Sequence, residues 1–207
     1  MPAAEKIDLY KLHKAEYVTP RKPVLFDIQP AKYLCIAGTG RPGGEEFQAK
    51  VGALYAAAFT TKFESKFAGR DYAVCKLEGI YWTAEGGAGF TTLSLDQCHW
   101  DLIIRVPDFV DAALLKAARA KLAAKQVPHS DQLALKTLRE GRCVQMLHVG
   151  PYDREPETIG IMRACALAAG FEFAATHHEI YLSDPRCVAP EKLRTILRIP
   201  VRKAKRV

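Results

Sequence analysis

Two stretches of the chain nearly repeat each other, and they decide the fold. The first reads Gly79-Ile80-Tyr81-Trp82 and leads to Ile103-Ile104-Arg105-Val106-Pro107. The second reads Glu179-Ile180-Tyr181-Leu182 and leads to Ile196-Leu197-Arg198-Ile199-Pro200. Runs rich in β-branched and aromatic residues are typical of strands. The repeat predicts one unit built twice about a pseudo-twofold axis. The cleft between the copies is the expected place for a ligand, because pockets form preferentially at such interfaces.

One position breaks the repeat. Glu179 stands where the first copy has Gly79, so an otherwise symmetric cleft would hold a negative charge on one side only. Residues two apart on a strand share a face. Glu179 and Tyr181 are therefore expected to face the cleft together, and Tyr81, the symmetry mate of Tyr181, to face it from the first copy.

A carboxylate in such a cleft has two functional readings. Glu179 could hold a cationic aromatic guest, or it could position water as a general base. The structural alternative is an ion pair with Arg105 or Arg198 at the edge of the cleft. Glu78, next to the cleft-facing Gly79, is expected to contact solvent.

Aromatic residues are the candidate walls of the cleft. Trp82 and Trp100 lie on strands that we expect to pair as a hairpin, and Tyr152 lies in a loop that would rim the cleft. Flat aromatic walls bind polycyclic or cationic ligands by stacking and cation-π attraction. Strand alternation places Trp82 on the face opposite Tyr81, so Trp82 reaches the cleft only if the strand is bulged or twisted. Ordinary core packing is the alternative for both tryptophans.

The rest of the chain fits two copies of a β-α-β-β module. The first half is predicted to have a strand at 24–38, a helix from 45 that ends before 69, strands at 72–83 and 98–106 joined by a turn at 85–89, and a trailing helix at 109–125. After a linker at 127–131 the order recurs, with a strand at 142–149, a helix at 156–169 and strands at 174–182 and 194–201. The predicted fold is α+β, with two antiparallel sheets, helices packed on them and a central ligand cleft.

These elements set the domain boundaries. Residues 1–22 are predicted to be a basic N-terminal arm that lies on the surface. Residues 23–207 form one domain made of two repeats, 23–126 and 127–202, with a short basic C-terminal tail.

Composition narrows the class of protein. The 207 residues are 49% hydrophobic, which is enough for a substantial core. No apolar run approaches the ~20 residues of a membrane span, and the first residues lack a secretory signal. We expect a cytoplasmic protein without a membrane partner. The net charge of +7 is concentrated at the two ends, which favours solvated tails over nucleic-acid binding.

Metal ions and cofactors are not expected. The six cysteines are scattered without a Cys-x-x-Cys pair, so we read them as reduced thiols. His177 and Glu179 could share an ion, but the sequence shows no third ligand. The glycine-rich loop at 38–44 lacks the Gly-Lys-Ser/Thr ending of a phosphate loop.

The second half resembles a known family. Leu147-His148-Val149-Gly150-Pro151-Tyr152, a helix, His178-Glu179-Ile180-Tyr181-Leu182-Ser183-Asp184-Pro185-Arg186 and a final Ile-Leu-Arg-Ile-Pro strand are similar to the GyrI-like superfamily of small-molecule-binding domains. The resemblance covers nearly the whole chain after the arm. It implies a duplicated module around a concave ligand site, with a functional glutamate at the place of Glu179. In multidrug-sensing regulators this domain follows a DNA-binding segment, for which the residues before the first strand here are too few.

The resemblance leaves several functions open. Stand-alone members of the superfamily include gyrase-inhibitory proteins and hydrolases that open the strained ring of cyclopropane-bearing genotoxic alkaloids. In a hydrolase, Glu179 would orient water and Tyr181 would stabilise charge on the departing ring system. The alternatives are a protein that sequesters aromatic or hydrophobic molecules without chemistry, and an interaction protein that inhibits DNA gyrase.

Overall fold

The computed structural model describes residues 6–83, 95–174 and 176–204. The predicted turn at 85–89 and the last residues of the basic tail lie outside these ranges. No helix within them is both long and apolar enough to cross a membrane.

Nine strands and five helices make up the described chain. The strands are β1 Val24–Ile28, β2 Ala31–Thr39, β3 Glu78–Trp82, β4 His99–Val106, β5 Ala134–Leu138, β6 Gly141–Val149, β7 Phe171–Phe173, β8 His177–Tyr181 and β9 Arg194–Lys203. The helices are α1 Leu9–Leu12, α2 Lys14–Tyr17, α3 Glu45–Phe67, α4 Ala112–Ala124 and α5 Glu155–Ala168. The predicted α+β class is confirmed.

The strands form one antiparallel sheet in the order β1-β6-β9-β8-β3-β4-β2-β5, with β7 paired to β9. The sequence predicted two sheets; pairing of β3 with β8 joins them into one. If β1 exchanges with β5, β2 with β6, β3 with β8 and β4 with β9, the order reads the same from the other edge. This symmetry agrees with the interpretation of a duplicated unit, with its axis passing between β3 and β8.

Besides the short β7, each half contains one strand more than predicted. The strand expected at 24–38 is divided into β1 and β2 around Gln29 and Pro30, because proline has no backbone N–H for the ladder. The matching strand of the second half is β5, which the sequence analysis missed. Both added strands pair across the halves: β1 with β6, and β5 with β2. The first half also has a shorter strand than expected at 72–83, since only β3 is extended and paired there.

Two helices cover one face of the sheet. Helix α3 packs on β2 and β4, where buried residues such as Leu54, Trp100 and Ile104 form the larger core. Helix α5 packs on β6 and β7, where Met162 and Leu197 belong to the second core. Helix α4 packs on α3. The strip of sheet between α3 and α5 is β3 and β8, which carry the repeat.

The N-terminal segment covers the opposite face of the sheet. It was expected to lie on the surface, but Leu9, Glu16 and Tyr17 are buried. The ring of Tyr17 packs with Ile180 and Ile196, which point away from the helices. This segment is therefore part of the folded domain.

Candidate functional site

The register of β3 and β8 assembles the site. Gly79 lies opposite Glu179, and Tyr81 lies opposite His177. Residues directly opposite each other in an antiparallel pair share a face of the sheet. Tyr81, His177, Glu179 and Tyr181 therefore meet on the face that α3 and α5 flank, as strand alternation predicted for Tyr81, Glu179 and Tyr181.

Gly79 is required by the position of Tyr81. A Cβ atom at residue 79 would lie 2.6 Å from Tyr81 Oη and 2.7 Å from its ring, closer than non-bonded atoms approach. The missing side chain lets Tyr81 fold back along its own strand, and its hydroxyl forms a hydrogen bond with the Tyr181 hydroxyl. Gly79 thus leaves the space that the Tyr81 ring occupies, and Glu179, directly opposite, supplies the carboxyl group.

Both oxygens of Glu179 accept hydrogen bonds. Tyr181 Oη donates to Oε2 at 2.7 Å, and His177 Nε2 lies 3.0 Å from Oε1. Because an ionised carboxylate can only accept, the proton of His177 is on Nε2 in this arrangement. Tyr81 then donates to Tyr181, so the two hydroxyls are aligned toward Glu179. The Glu179 side chain keeps 13% of its surface exposed, so part of the carboxyl group is open to solvent on the face between α3 and α5.

Glu155 is a further acidic residue that the sequence analysis missed. It is the first residue of α5, is 6% exposed, and forms a hydrogen bond with Glu179. Its Oε2 lies 4.0 Å from His177 Nε2. Burial and the charge of Glu179 raise the pKa of Glu155 well above its ordinary value. Two carboxylates in contact cannot both ionise without a large cost, so the neutral form of Glu155 is the favoured one.

Tyr152 lies between β6 and α5, and its ring contacts Tyr181. Its ring is 39% exposed and meets the Tyr181 ring edge to face, with centroids 6.0 Å apart. Burial, followed by the charge of Glu179, raises the pKa of Tyr152 to about 12. Tyr152 is thus a neutral aromatic group beside the carboxylate and open to an incoming ligand.

Neither tryptophan presents an exposed ring beside Glu179. Trp100 lies on the cleft face, but it is fully buried beneath α3, with Phe47 5.0 Å away between ring centroids. Its indole covers Gly38, and Nε1 donates to the Gly40 carbonyl at 3.2 Å. Trp82 lies on the opposite face and stacks on His99. The strand is regular here, so the bulge needed to turn Trp82 into the cleft is not present.

The arginines considered as partners of Glu179 are engaged elsewhere. Arg105 Nη1 pairs with Glu16 at 2.7 Å, and Arg198 Nη1 pairs with Glu140 at 3.2 Å. Both pairs lie on the opposite face of the sheet. The structure therefore does not show the ion pair between Glu179 and either arginine that the sequence left open.

Three side chains of the site lie close enough together to bind a cation. One donor atom each from Glu155, His177 and Glu179 lies within 4.8 Å of the others, so Glu155 supplies the third group that the sequence did not reveal. The hydrogen bonds above already use both Glu179 oxygens and His177 Nε2. We therefore assign no metal to these residues.

Comparison with known protein families identifies the family of this chain. The sequence profile of the GyrI-like small molecule binding domain matches residues 22–202. The chain belongs to this family. No curated protein sequence matches the chain.

Solved structures of GyrI-like and related folds are similar to this chain. A hydrolase from Listeria innocua is 38% identical, with 96% of this chain and 100% of that one covered and a TM-score of 0.87. Another crystal structure of a hydrolase from the same organism is 37% identical, with 95% and 100% covered and a TM-score of 0.84. The C-terminal domain of EcmrR, at 10% identity, 88% and 98% coverage and a TM-score of 0.60, shares the fold alone.

Proposed function

We propose that this GyrI-like protein is a cytoplasmic protein that binds an aromatic or hydrophobic small molecule, preferably a cation, in the cleft centred on Glu179. The observation that carries the proposal is a partly exposed carboxylate among three tyrosines, Tyr81, Tyr152 and Tyr181. Aromatic faces and a carboxylate together attract an organic cation, at roughly 0.5 to 2 kcal/mol for each well-placed ring.

We further propose that the bound molecule is hydrolysed, as two similar proteins of Listeria innocua are named hydrolases. The candidate reaction opens an activated cyclopropane ring. Water attacks a ring carbon while Glu179 takes its proton, and a carbon–oxygen bond forms as a carbon–carbon bond breaks. The electron pair of the broken bond passes into the conjugated carbonyl system, which is then protonated. Tyr181 is the nearest hydroxyl that can stabilise the developing negative charge.

The hydrolase proposal is tested with an activated cyclopropane alkaloid. Wild-type protein should convert it to a product heavier by one water, detected by mass spectrometry, and Glu179→Gln should lose this activity. Glu157→Gln is the matched control, because Glu157 lies on the exposed side of α5 and pairs with Arg154. Absence of turnover by the wild type, or full turnover by Glu179→Gln, would contradict the assignment.

Binding without chemistry is the second candidate. It is favoured by one observation: His177 and Tyr181 already occupy both Glu179 oxygens, so a reacting water must compete with them. Rhodamine 6G serves as a probe, since it is a permanent aromatic cation. Saturable binding with full recovery of every tested cyclopropane compound would support sequestration over hydrolysis.

A further inference from the structure

We propose that Glu155 is a positioning residue: it holds one proton that it shares with Glu179, so that the two carboxyl groups present a single negative charge to the cleft. The inference rests on the proposed function, in which Glu179 is the polar centre of the ligand site. It concerns how that charge is fixed and which ligands it suits.

The surroundings of Glu155 favour its neutral form. The side chain is more than nine-tenths buried, and its Oε1 has no hydrogen-bond partner within the described ranges. An ionised carboxylate left in this position would lose its hydration without a compensating cation. The first turn of a helix favours an anion only weakly. This is too little to offset burial beside a second carboxylate.

The hydrogen-bond directions identify where the shared charge lies. Glu179 accepts from His177 and from Tyr181, and the neutral Glu155 can supply a third donor. Among the described residues, Glu155 Oε1 receives no hydrogen bond. Three donors converging on one carboxylate stabilise its ionised form, so the charge belongs on Glu179 and the proton on Glu155.

Titratable groups face this pair from every side. Strand β8 contributes His177 and Tyr181, and β3 contributes Tyr81. Two further groups add to these, Tyr152 at the rim and the buried thiol of Cys98. None of these five carries a permanent positive charge. No arginine or lysine among these groups offsets the charge of the pair, and a proton on Glu155 reduces it.

A single fixed charge has a consequence for ligand choice. Below the pKa of Glu155, the cleft offers one negative charge and suits a monocation. As pH rises through that pKa, the pair gains a second negative charge, so affinity for a permanent cation should increase. A neutral aromatic ligand should show no such increase, which separates the effect of charge from changes in shape.

The proton can be observed without any ligand. Infrared difference spectroscopy of the complete chain at pH near 7 should show the C=O stretch of a protonated carboxyl group in the wild type. The band should vanish in Glu155→Gln and persist in Glu157→Gln. A spectrum in which wild type and Glu155→Gln do not differ overturns the inference, whether or not the cleft binds dyes. A band that is present while no aromatic molecule binds overturns the proposed function and leaves the inference standing.

Dye binding tests the positioning role. Fluorescence titration with rhodamine 6G, from about pH 5 up to the pH at which the infrared band of Glu155 is lost, should show an affinity that increases with pH for the wild type and is nearly flat for Glu155→Gln. Glu155→Ala should bind about tenfold more weakly than the wild type at pH 7, with partial rescue by Glu155→Gln, whose amide also donates. Identical pH profiles for wild type and Glu155→Gln overturn the inference. Stoichiometric metal in the purified wild type that is lost in Glu155→Gln also overturns it, because a metal ion would then replace the proton.

Discussion

The two faces of the β3–β8 ladder use the same residue types in opposite ways. His177 and His178 are neighbours that point to opposite sides of the sheet. On the cleft side, His177 and a tyrosine are the donors to Glu179, and the charge stays partly exposed. On the other side, His178 lies between two buried carboxylates, with Nε2 3.0 Å from Glu78 and Nδ1 2.9 Å from Glu140.

The buried face is balanced in charge. Its members are three acids and three bases, Glu16, Glu78, Glu140, Arg105, His178 and Arg198. The carboxylates hold the pKa of His178 at about 9, and the cations hold that of Glu140 at about 2. The comparison teaches that a buried charge with complete partners stabilises the fold. On the cleft face, Glu179 has donors but no arginine or lysine partner among the described residues, and it stays partly exposed.

Removal of Arg198 should have the largest effect. Arg198 is fully buried and donates to Gln145, Glu140 and the Glu16 carbonyl. Arg198→Met removes the arginine partner of the buried Glu140 carboxylate and should lower the free energy of unfolding by about 3 to 5 kcal/mol. Urea denaturation followed by circular dichroism measures the change. Glu179→Gln on the cleft face is the comparison and should cost less than about 1 kcal/mol; equal losses would contradict the distinction between the faces.

The buried network should also give stability a pH dependence. The folded-state pKa of His178 is raised, so its contribution is complete below about pH 6.5 and is lost as pH rises through about 9. The pKa of Glu140 is lowered, so its contribution is present above about pH 4.5 and is lost as pH falls through about 2.

We therefore expect the free energy of unfolding to fall by on the order of 2 kcal/mol between pH 6 and about 9.5. His178→Gln should remove most of this alkaline loss in urea titrations at the two pH values. His129→Asn is the control, because His129 lies outside the sheet and its side-chain contact is with Gln132. An alkaline loss of equal size in His178→Gln would show that another group is responsible.

Gly79→Ala tests the cleft face directly. The added methyl group would overlap Tyr81, displacing its ring and breaking the hydrogen bond to Tyr181. We expect a loss of stability of about 1 to 3 kcal/mol together with weaker rhodamine 6G binding. Gly52→Ala is the control, since its methyl would meet no atom within 4 Å on α3 and should be neutral or stabilising. Unchanged dye affinity in Gly79→Ala would place the ligand elsewhere.

The smallest effect is expected at Trp82. Because its indole lies on the face away from Glu179, Trp82→Phe should change the Kd for rhodamine 6G by less than about twofold. Tyr152→Ala, at the rim, should weaken binding more, and both constants come from the same fluorescence titration. A large loss in Trp82→Phe with little change in Tyr152→Ala would reverse our assignment of the two faces.

Much of the cleft face could be predicted from the sequence, because strand alternation depends only on neighbouring residues. It placed Tyr81, Glu179 and Tyr181 on one side and Trp82 on the other. Glu155 escaped this reasoning, since it lies at the start of a helix and meets Glu179 only through tertiary packing. The nearest available signal was the position of Tyr152 and Glu155 at the rim of the expected cleft.

The opposite face was misread for a different reason. Glu78 was expected to contact solvent, but it is fully buried beneath the N-terminal segment. That segment is polar and basic, without an apolar period, so its pattern alone gives no sign that Tyr17 is inserted against the sheet. Arg105, which donates a hydrogen bond to the Tyr17 hydroxyl, lies 88 residues further along the chain. The register puts Glu78 and His178 on one face, and two charged residues on a central strand pair are a sign that something must cover them.

The crossed pairing of β1 and β5 has a mechanical consequence. The first strand of each half pairs with a strand of the other half. The halves are therefore hydrogen-bonded to each other at both edges of the sheet as well as between β3 and β8. Movement of one half relative to the other would have to break three strand pairs at once, β1–β6, β2–β5 and β3–β8. The three strand pairs therefore hold the two halves, and with them Tyr81 on β3 and Glu179 on β8, in a fixed register.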